Sequence, residues 1–201
     1  MAKAESNLST WRMYGGGGLL VGGFLWLVAV IVGNVASSTD TAFRWVELVG
    51  LIVVGLGFIV LAIGRSGSNG VVGKNLVGKI ALWVAAFGFL VWGIWDIFTT
   101  SFPDTSKLPG VAQWIIAIAI FLGTVVAAAI IQLNGTARII GKWALYAVAL
   151  LALLFLLLPV FGITALDVWW VGFIFAIVTA LTGLAYLLNP GAAGPVKPLT
   201  Q

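Results

Sequence analysis

The amino-acid sequence predicts an all-α polytopic membrane protein, with six transmembrane helices arranged as three consecutive helical hairpins. Its composition is the first reason: 62% of the 201 residues are hydrophobic, 8% are charged, and the mean hydropathy is +1.17. A soluble domain carries about 25% charged residues, so this chain could not cover a water-facing surface. The second reason is that apolar runs of about 20 residues recur along the chain, each long enough to cross roughly 30 Å of hydrocarbon.

Each apolar run is expected to be a helix, because a bilayer offers no partners for unpaired backbone amides. The first run follows a polar segment, 1–14, and is longer than the apolar region of a typical signal peptide, so it is interpreted as an uncleaved span. The six predicted spans cover residues 15–34, 42–64, 77–98, 111–133, 137–158 and 165–188. Turn-forming residues follow them, including Asn134-Gly135, Pro159 and Asn189-Pro190.

These spans form one predicted membrane domain, 15–189, followed by a short polar tail, 190–201. Because the connections are short, successive spans are expected to pair as antiparallel neighbours. The three predicted hairpins cover residues 15–64, 76–133 and 137–188.

Charged residues segregate between the two ends of the predicted bundle. The end with both termini carries eight basic residues and one acid: Lys3, Arg12, Arg65, Lys74, Lys79, Arg138, Lys142, Lys197 and Glu5. The other end carries two basic residues and five acids: Arg44, Lys107, Asp40, Glu47, Asp96, Asp104 and Asp167. Cytoplasmic loops carry an excess of Lys and Arg, so both termini are expected to be cytoplasmic. The composition and short loops suit the bacterial cytoplasmic membrane.

Small residues at every fourth position predict close helix packing. Such spacing lets the backbones of apolar helices approach each other in lipid. The predicted packing residues are Gly18, Gly22, Ala119, Gly123, Ala127, Gly172, Ala176 and Ala180.

Tryptophans and lysines near the predicted span boundaries indicate contact with lipid headgroups. The predicted interfacial residues are Trp45, Trp92, Trp95, Trp114, Trp169, Trp170, Lys74, Lys79 and Lys142. A more specific interpretation is that these tryptophans form an aromatic surface that binds a lipid, quinone, pigment or partner helix. Trp26 is an exception, since it is expected near the middle of the bilayer, where it fills a packing gap or faces a partner.

The residue types that carry most chemistry are missing from this chain. It contains no cysteine and no histidine, so it has no disulfide, no thiolate nucleophile and no imidazole base or ligand. Residues 73–79 match the spacing of a phosphate-binding loop, but Ile80 stands where such a loop needs Ser or Thr. We therefore predict no catalytic, cofactor-binding or metal-binding residues, and no nucleotide or nucleic-acid partner.

The acidic residues at the hairpin tips are the remaining candidates for chemistry. If clustered, they could bind a cation or take part in acid–base catalysis. The alternative is that Arg44 and Glu47 form an ion pair one helical turn apart.

Taken together, these features favour a non-catalytic accessory or scaffold subunit that packs against partner helices, a second copy or lipids. The alternative is a transporter or channel for a small solute or lipid, with the glycine run 15–18 as its plausible unwound segment. An enzyme acting through Asp96, Asp104 or Asp167 would need a nucleophile or metal that cannot be identified in the sequence. In outline, the six short-looped spans resemble the HdeD-like bacterial stress-response membrane proteins, a likeness that carries over no residues.

Overall fold

The computed structural model describes residues 2–35, 41–63, 70–101, 109–134, 139–162 and 169–188. Six α-helices occupy most of these ranges: α1 (Ala2–Val35), α2 (Thr41–Ile63), α3 (Leu76–Ser101), α4 (Pro109–Asn134), α5 (Ile139–Leu157) and α6 (Trp169–Leu188). Each contains a stretch long and apolar enough to cross a membrane. The predicted all-α, six-span fold is therefore confirmed, and the chain is an integral membrane protein.

Two helix boundaries differ from the sequence prediction. Helix α1 begins at Ala2, although its apolar stretch begins only at Met13, so the polar N-terminal segment continues the first helix. Helix α5 ends at Leu157 and tightens into a short 3-10 helix, Leu158–Phe161, around Pro159. Proline cannot donate a backbone hydrogen bond, which explains why the α-helix ends there.

The helices form a closed ring, because each packs on its neighbours in the chain and α6 returns to pack on α1. Neighbouring helices run antiparallel, because residues early in the apolar stretch of one helix contact residues late in that of the next, as Gly18 of α1 does with Gly57 of α2. We call the end with Arg44, Glu47 and Asp96 the acidic end. The opposite end, with Lys74, Lys79 and Lys142, is the basic end.

Glycines on two faces of α1 hold this helix tightly between α2 and α6. A Cβ atom added to Gly18 would lie 3.1 Å from the Cα of Gly57 in α2. On the other face, a Cβ added to Gly23 would lie 2.7 Å from the backbone nitrogen of Ala180 in α6. The α6 interface has no room for a side chain at Gly23, and at Gly18 a side chain would be in tighter than ordinary van der Waals contact with α2. The glycines therefore allow the close approach of the helix backbones.

Buried aromatic rings meet in the interior of the ring of helices. The cluster consists of Trp26, Phe58, Phe89, Trp92, Phe155 and Phe175, which come from every helix except α4. Trp26 of α1 lies 5.0 Å from Trp92 of α3, measured between ring centroids, and Trp92 stacks on Phe155 of α5 at the same distance. Because α1, α3 and α5 are not neighbours in the ring, these contacts cross its interior.

The connection before α3 closes part of the basic end. Val71 and Val72 are fully buried, and the Val71 amide donates to the carbonyl of Leu61 near the end of α2 (2.8 Å). Asn75 then caps α3, since its side-chain oxygen accepts a hydrogen bond from the Gly78 amide (3.1 Å). Residues 73–79, which match the spacing of a phosphate-binding loop, thus form the end of this turn and a capped helix start, with Gly73 buried and Lys74 exposed.

The glycine contacts of α1 generate a stability prediction. A Cβ added to Gly22 would lie 2.6 Å from the backbone nitrogen of Val54, whereas one added to Gly17 would meet nothing within 4 Å. We expect Gly22→Ala to lower the free energy of unfolding by about 1–3 kcal/mol through overpacking. The matched control Gly17→Ala should leave it unchanged or raise it by up to about 1 kcal/mol, because alanine favours helix. Unfolding in mixed detergent micelles measures both, and equal effects would contradict the close packing.

Candidate functional site

A cluster of charged residues joins three helices at the acidic end. Arg44 of α2 donates through one guanidinium nitrogen to both carboxylate oxygens of Asp96 in α3, at 3.1 and 3.0 Å. The same nitrogen lies 3.4 Å from Glu47, one turn further along α2. The other oxygen of Glu47 accepts a 2.8 Å hydrogen bond from the indole N–H of Trp26 in α1. We call these four residues the Arg44 cluster.

The cluster follows from the spacing of residues on α2 and from the antiparallel neighbours of that helix. Arg44 and Glu47 are three residues apart, so their side chains lie on the same side of the helix, as the sequence predicted. Glu47 lies six residues after Thr41, roughly 9 Å along the helix axis. Because α3 runs antiparallel to α2, its C-terminal part lies at the same level, and Asp96 is therefore next to Arg44 and Glu47.

Burial increases from Arg44 inward to Trp26. The side chain of Arg44 is 46% exposed and that of Asp96 17%, whereas Glu47 as a whole residue is 6% exposed and Trp26 is fully buried. Removing one member of a buried ion pair leaves the other charge uncompensated, which costs far more than losing an exposed pair. The Arg44 cluster can therefore act as a clamp that ties α1, α2 and α3 together.

The acidic residues proposed as a cation site or a catalytic group are only partly brought together. Glu47 and Asp96 meet around Arg44, but Asp40, Asp104 and Asp167 lie outside the described residues. Within the described ranges, no three acidic side chains form a group that could hold a metal ion. Both carboxylates that do meet are engaged by the guanidinium.

An apolar groove separates α5 and α6 toward the basic end. It has a volume of about 520 Å³ and is lined by Ile140, Trp143, Ala144, Ala147, Val178, Leu181, Thr182, Leu184, Ala185 and Leu188. Two hydrogen bonds join the helices beside it: Thr182 donates to the carbonyl of Ala144 (3.3 Å), and Tyr186 donates to that of Gly141 (3.1 Å). The groove is therefore a depression in the lipid-facing surface along a seam that polar contacts hold together.

Gln113 has a structural role that its position in the sequence did not reveal. Its side-chain amide, fully buried in α4, donates to the carbonyl of Phe155 in α5 (3.1 Å). That carbonyl would normally accept from the residue four positions later, which is Pro159 and has no N–H. Gln113 therefore supplies the donor that proline removes. The signal in the sequence was the combination of a glutamine in one apolar span and a proline at the end of the next, since that proline leaves the carbonyl four residues before it without a donor.

The predicted interfacial residues occupy different positions around the bundle. Four tryptophans are exposed on the outer surface: Trp45, Trp114, Trp169 and Trp170. Trp95 is partly buried, Lys74 is exposed, and Lys79 and Lys142 are half-buried. Trp92 is the exception, since it is 4% exposed and belongs to the central aromatic cluster instead of the lipid-facing surface. It shares the inward face of α3 with Phe89, one turn earlier.

The predicted small-residue stripes face other helices of the same chain. Gly22 faces α2 alongside Gly18, Gly123 lies against α3, and Ala176 faces α1 alongside Ala180.

The other three predicted packing residues also lie inside the bundle. Ala119 lies near Gly88 of α3, Ala127 is fully buried, and Gly172 lies more loosely beside Trp26. Much of this small-residue surface is therefore occupied inside the bundle and is not available to a partner helix.

The glycine run at 15–18 is helical throughout, so the unwound segment considered for a transporter is absent there. A Cβ added to Gly15 would lie 2.6 Å from the Leu61 side chain, and one added to Gly16 would lie 2.9 Å from Gly183 of α6. These glycines serve close packing, which explains their clustering without a break in the helix.

A scan against protein-family models, a search of curated proteins and a search of solved structures each find no match. The likeness to the HdeD-like proteins is thus one of span number and loop length. The function of this chain must therefore be inferred from its own residues.

The Arg44 cluster generates a second prediction. Arg44→Gln leaves Glu47 and Asp96 facing each other without the guanidinium between them. We expect the free energy of unfolding to fall by about 1–3 kcal/mol, less than the loss from a fully buried pair, because Arg44 is 46% exposed. Adding Asp96→Asn should recover part of this loss by removing one of the two carboxylates.

Thermal unfolding in detergent followed by circular dichroism provides the measurement. Lys74→Gln is the control, since it removes one positive charge from an exposed position at the basic end. If Arg44→Gln destabilises the protein no more than Lys74→Gln does, the cluster is not a clamp.

Proposed function

We propose that this protein is a non-catalytic accessory or scaffold subunit of a bacterial membrane complex, which binds partner helices or lipids through its outer surface. It would lie in the cytoplasmic membrane with both termini in the cytoplasm, as the excess of basic residues at that end favours.

The observation that carries this proposal is the closed ring with buried aromatic side chains in its interior. Aromatic side chains from five helices meet across its interior at centroid distances of 5.0–6.3 Å. A binding site for a transported solute would need space in that interior, between the helices of the bundle. The described residues instead present large apolar side chains outward from every helix. The outer surface is thus the part of this molecule most suited to an interaction.

Two further features support a non-catalytic role over the transporter alternative. The charged groups of the Arg44 cluster are engaged with each other, and the cluster would have to be dismantled before a substrate could use them. The glycine run of α1 is packed between α2 and α6, so a hinge there would break both interfaces.

Extraction from the native membrane into polymer-bounded nanodiscs tests the accessory role. We expect the tagged chain to be recovered with other subunits or as a homo-oligomer, and hence at a protein mass above 21.1 kDa. Tryptophan substitution of exposed residues, Val21 on α1, Leu122 on α4 and Leu150 on α5, should break the assembly at one face and spare it at the others. A protein that is always monomeric under these conditions would contradict the proposal.

A further inference from the structure

We propose that the groove between α5 and α6 binds one anionic phospholipid, with an acyl chain in the groove and the phosphate held by Lys142. This inference rests on the proposed function, since it names a lipid partner for the outer surface. The site lies at the basic end, where the groove begins beside Ile140 and Leu188.

The groove is chemically suited to a hydrocarbon chain. Its lining is apolar apart from the indole N–H of the exposed Trp143 and the hydroxyl of Thr182. The single hydroxyl proton of Thr182 is shared between the carbonyls of Val178 in its own helix (2.8 Å) and of Ala144 (3.3 Å). The buried polar group of this lining, the Thr182 hydroxyl, therefore needs no partner from a ligand. A lipid chain can enter from the surrounding bilayer and gain van der Waals contacts with the lining without displacing a hydrogen bond.

Charge marks one point on the part of the lipid-facing surface that α4, α5 and α6 form. Lys142 is the sole charged residue in the helical ranges of α4, α5 and α6, and these three helices contain no acid. A basic residue near an anionic membrane surface contributes about 1 kcal/mol of attraction. Lys142 thus lacks an acidic partner on its own helix or on either neighbouring helix, and a lipid phosphate can supply one.

Aromatic and amide groups connect Lys142 with the groove. Trp143, the next residue, lines the groove and is exposed, and its ring lies 5.8 Å from that of Tyr146. Tyr146 donates to the side-chain oxygen of Gln132 in α4 (3.1 Å), so the amide nitrogen of Gln132 keeps its donors for another acceptor. Lys142 comes one turn before Tyr146, and residues four apart share a helix face, so Lys142 lies on the α4 side of Trp143. The lipid phosphate would therefore lie on the α4 side of Trp143, and the acyl chain would lie on its α6 side.

A phospholipid fits these features better than a partner helix does. A helix bound in the groove would need an acidic side chain at the headgroup level to pair with Lys142. An anionic lipid always carries its negative charge at that level, because its phosphate is part of the headgroup. Trp143 would also obstruct a straight helix along the seam, since its exposed ring lies at the edge of the groove, but it would pack against a flexible acyl chain.

Native mass spectrometry of the full-length protein, incubated with equal amounts of dioleoyl phosphatidylglycerol and phosphatidylcholine, tests this site. We expect one retained phosphatidylglycerol molecule. Lys142→Gln should weaken its binding roughly fivefold, the change that corresponds to about 1 kcal/mol, and leave phosphatidylcholine binding unchanged. Ala147→Phe, which fills the groove from an exposed position, should weaken the binding of both lipids.

Two controls match these variants. Lys74→Gln removes an exposed lysine from the same end of the bundle, and Leu150→Phe adds bulk to the lipid-facing side of α5 outside the groove. Both should bind phosphatidylglycerol as the natural chain does, and circular dichroism should show that all four variants are folded. Equal binding of the two lipids, or an equal loss in Lys74→Gln and Lys142→Gln, would overturn the proposal.

The outcomes separate this inference from the accessory role. If Ala147→Phe dissociates an oligomer without changing lipid binding, a protein helix occupies the groove and the lipid site is wrong. If a partner-bound protein shows no preference for phosphatidylglycerol, the lipid site alone is lost. If a monomer binds phosphatidylglycerol through Lys142, the lipid site stands and the accessory role is overturned.

Discussion

The close approach of α1 to two other helices is the constraint on which this bundle depends. Lipid tails are as apolar as leucine, so helices in a bilayer associate through packing and hydrogen bonds and not through the hydrophobic effect. Gly18 meets Gly57 on one face of α1, and Gly23 meets Ala180 on another. The first contact seats α1 against α2, and the second brings α6 to it, which closes the ring. Without the second contact the chain would be an open row of hairpins.

Closing the ring creates an interior, and Trp26 connects that interior to the charged end. Its ring packs among Phe89, Trp92 and Phe175, while its indole N–H donates to Glu47. A tryptophan can do both because it combines a large apolar surface with one hydrogen-bond donor. The buried carboxylate therefore has a fixed donor, and the same side chain sets the spacing of α1 from α3. The polar cluster and the aromatic core are in this sense one structural unit, which leaves the lipid-facing surface for interactions.

Features that depend on local sequence could be predicted, whereas those that depend on the orientation of a helix could not. The six spans follow from the length of the apolar runs, and the pairing of Arg44 with Glu47 follows from their spacing on one helix. The position of Trp92 in the sequence indicated how deep it lies in the membrane, but not which face of α3 it occupies. Its ring was therefore predicted at the lipid surface, whereas it is buried in the bundle. Asp96 and Gln113 act on neighbouring helices, and their partners depend on how the antiparallel helices are aligned.

The contact between α1 and α6 tests this account most directly, because it separates a closed ring from an open row of helices. Solid-state NMR of the protein in lipid bilayers, with glycine and alanine labelled at Cα, can detect it. We expect a short-range cross-peak between Gly23 and Ala180, together with one between Gly18 and Gly57 as the reference for the α1–α2 contact. A spectrum with the Gly18–Gly57 peak but without the Gly23–Ala180 peak would contradict the closed ring.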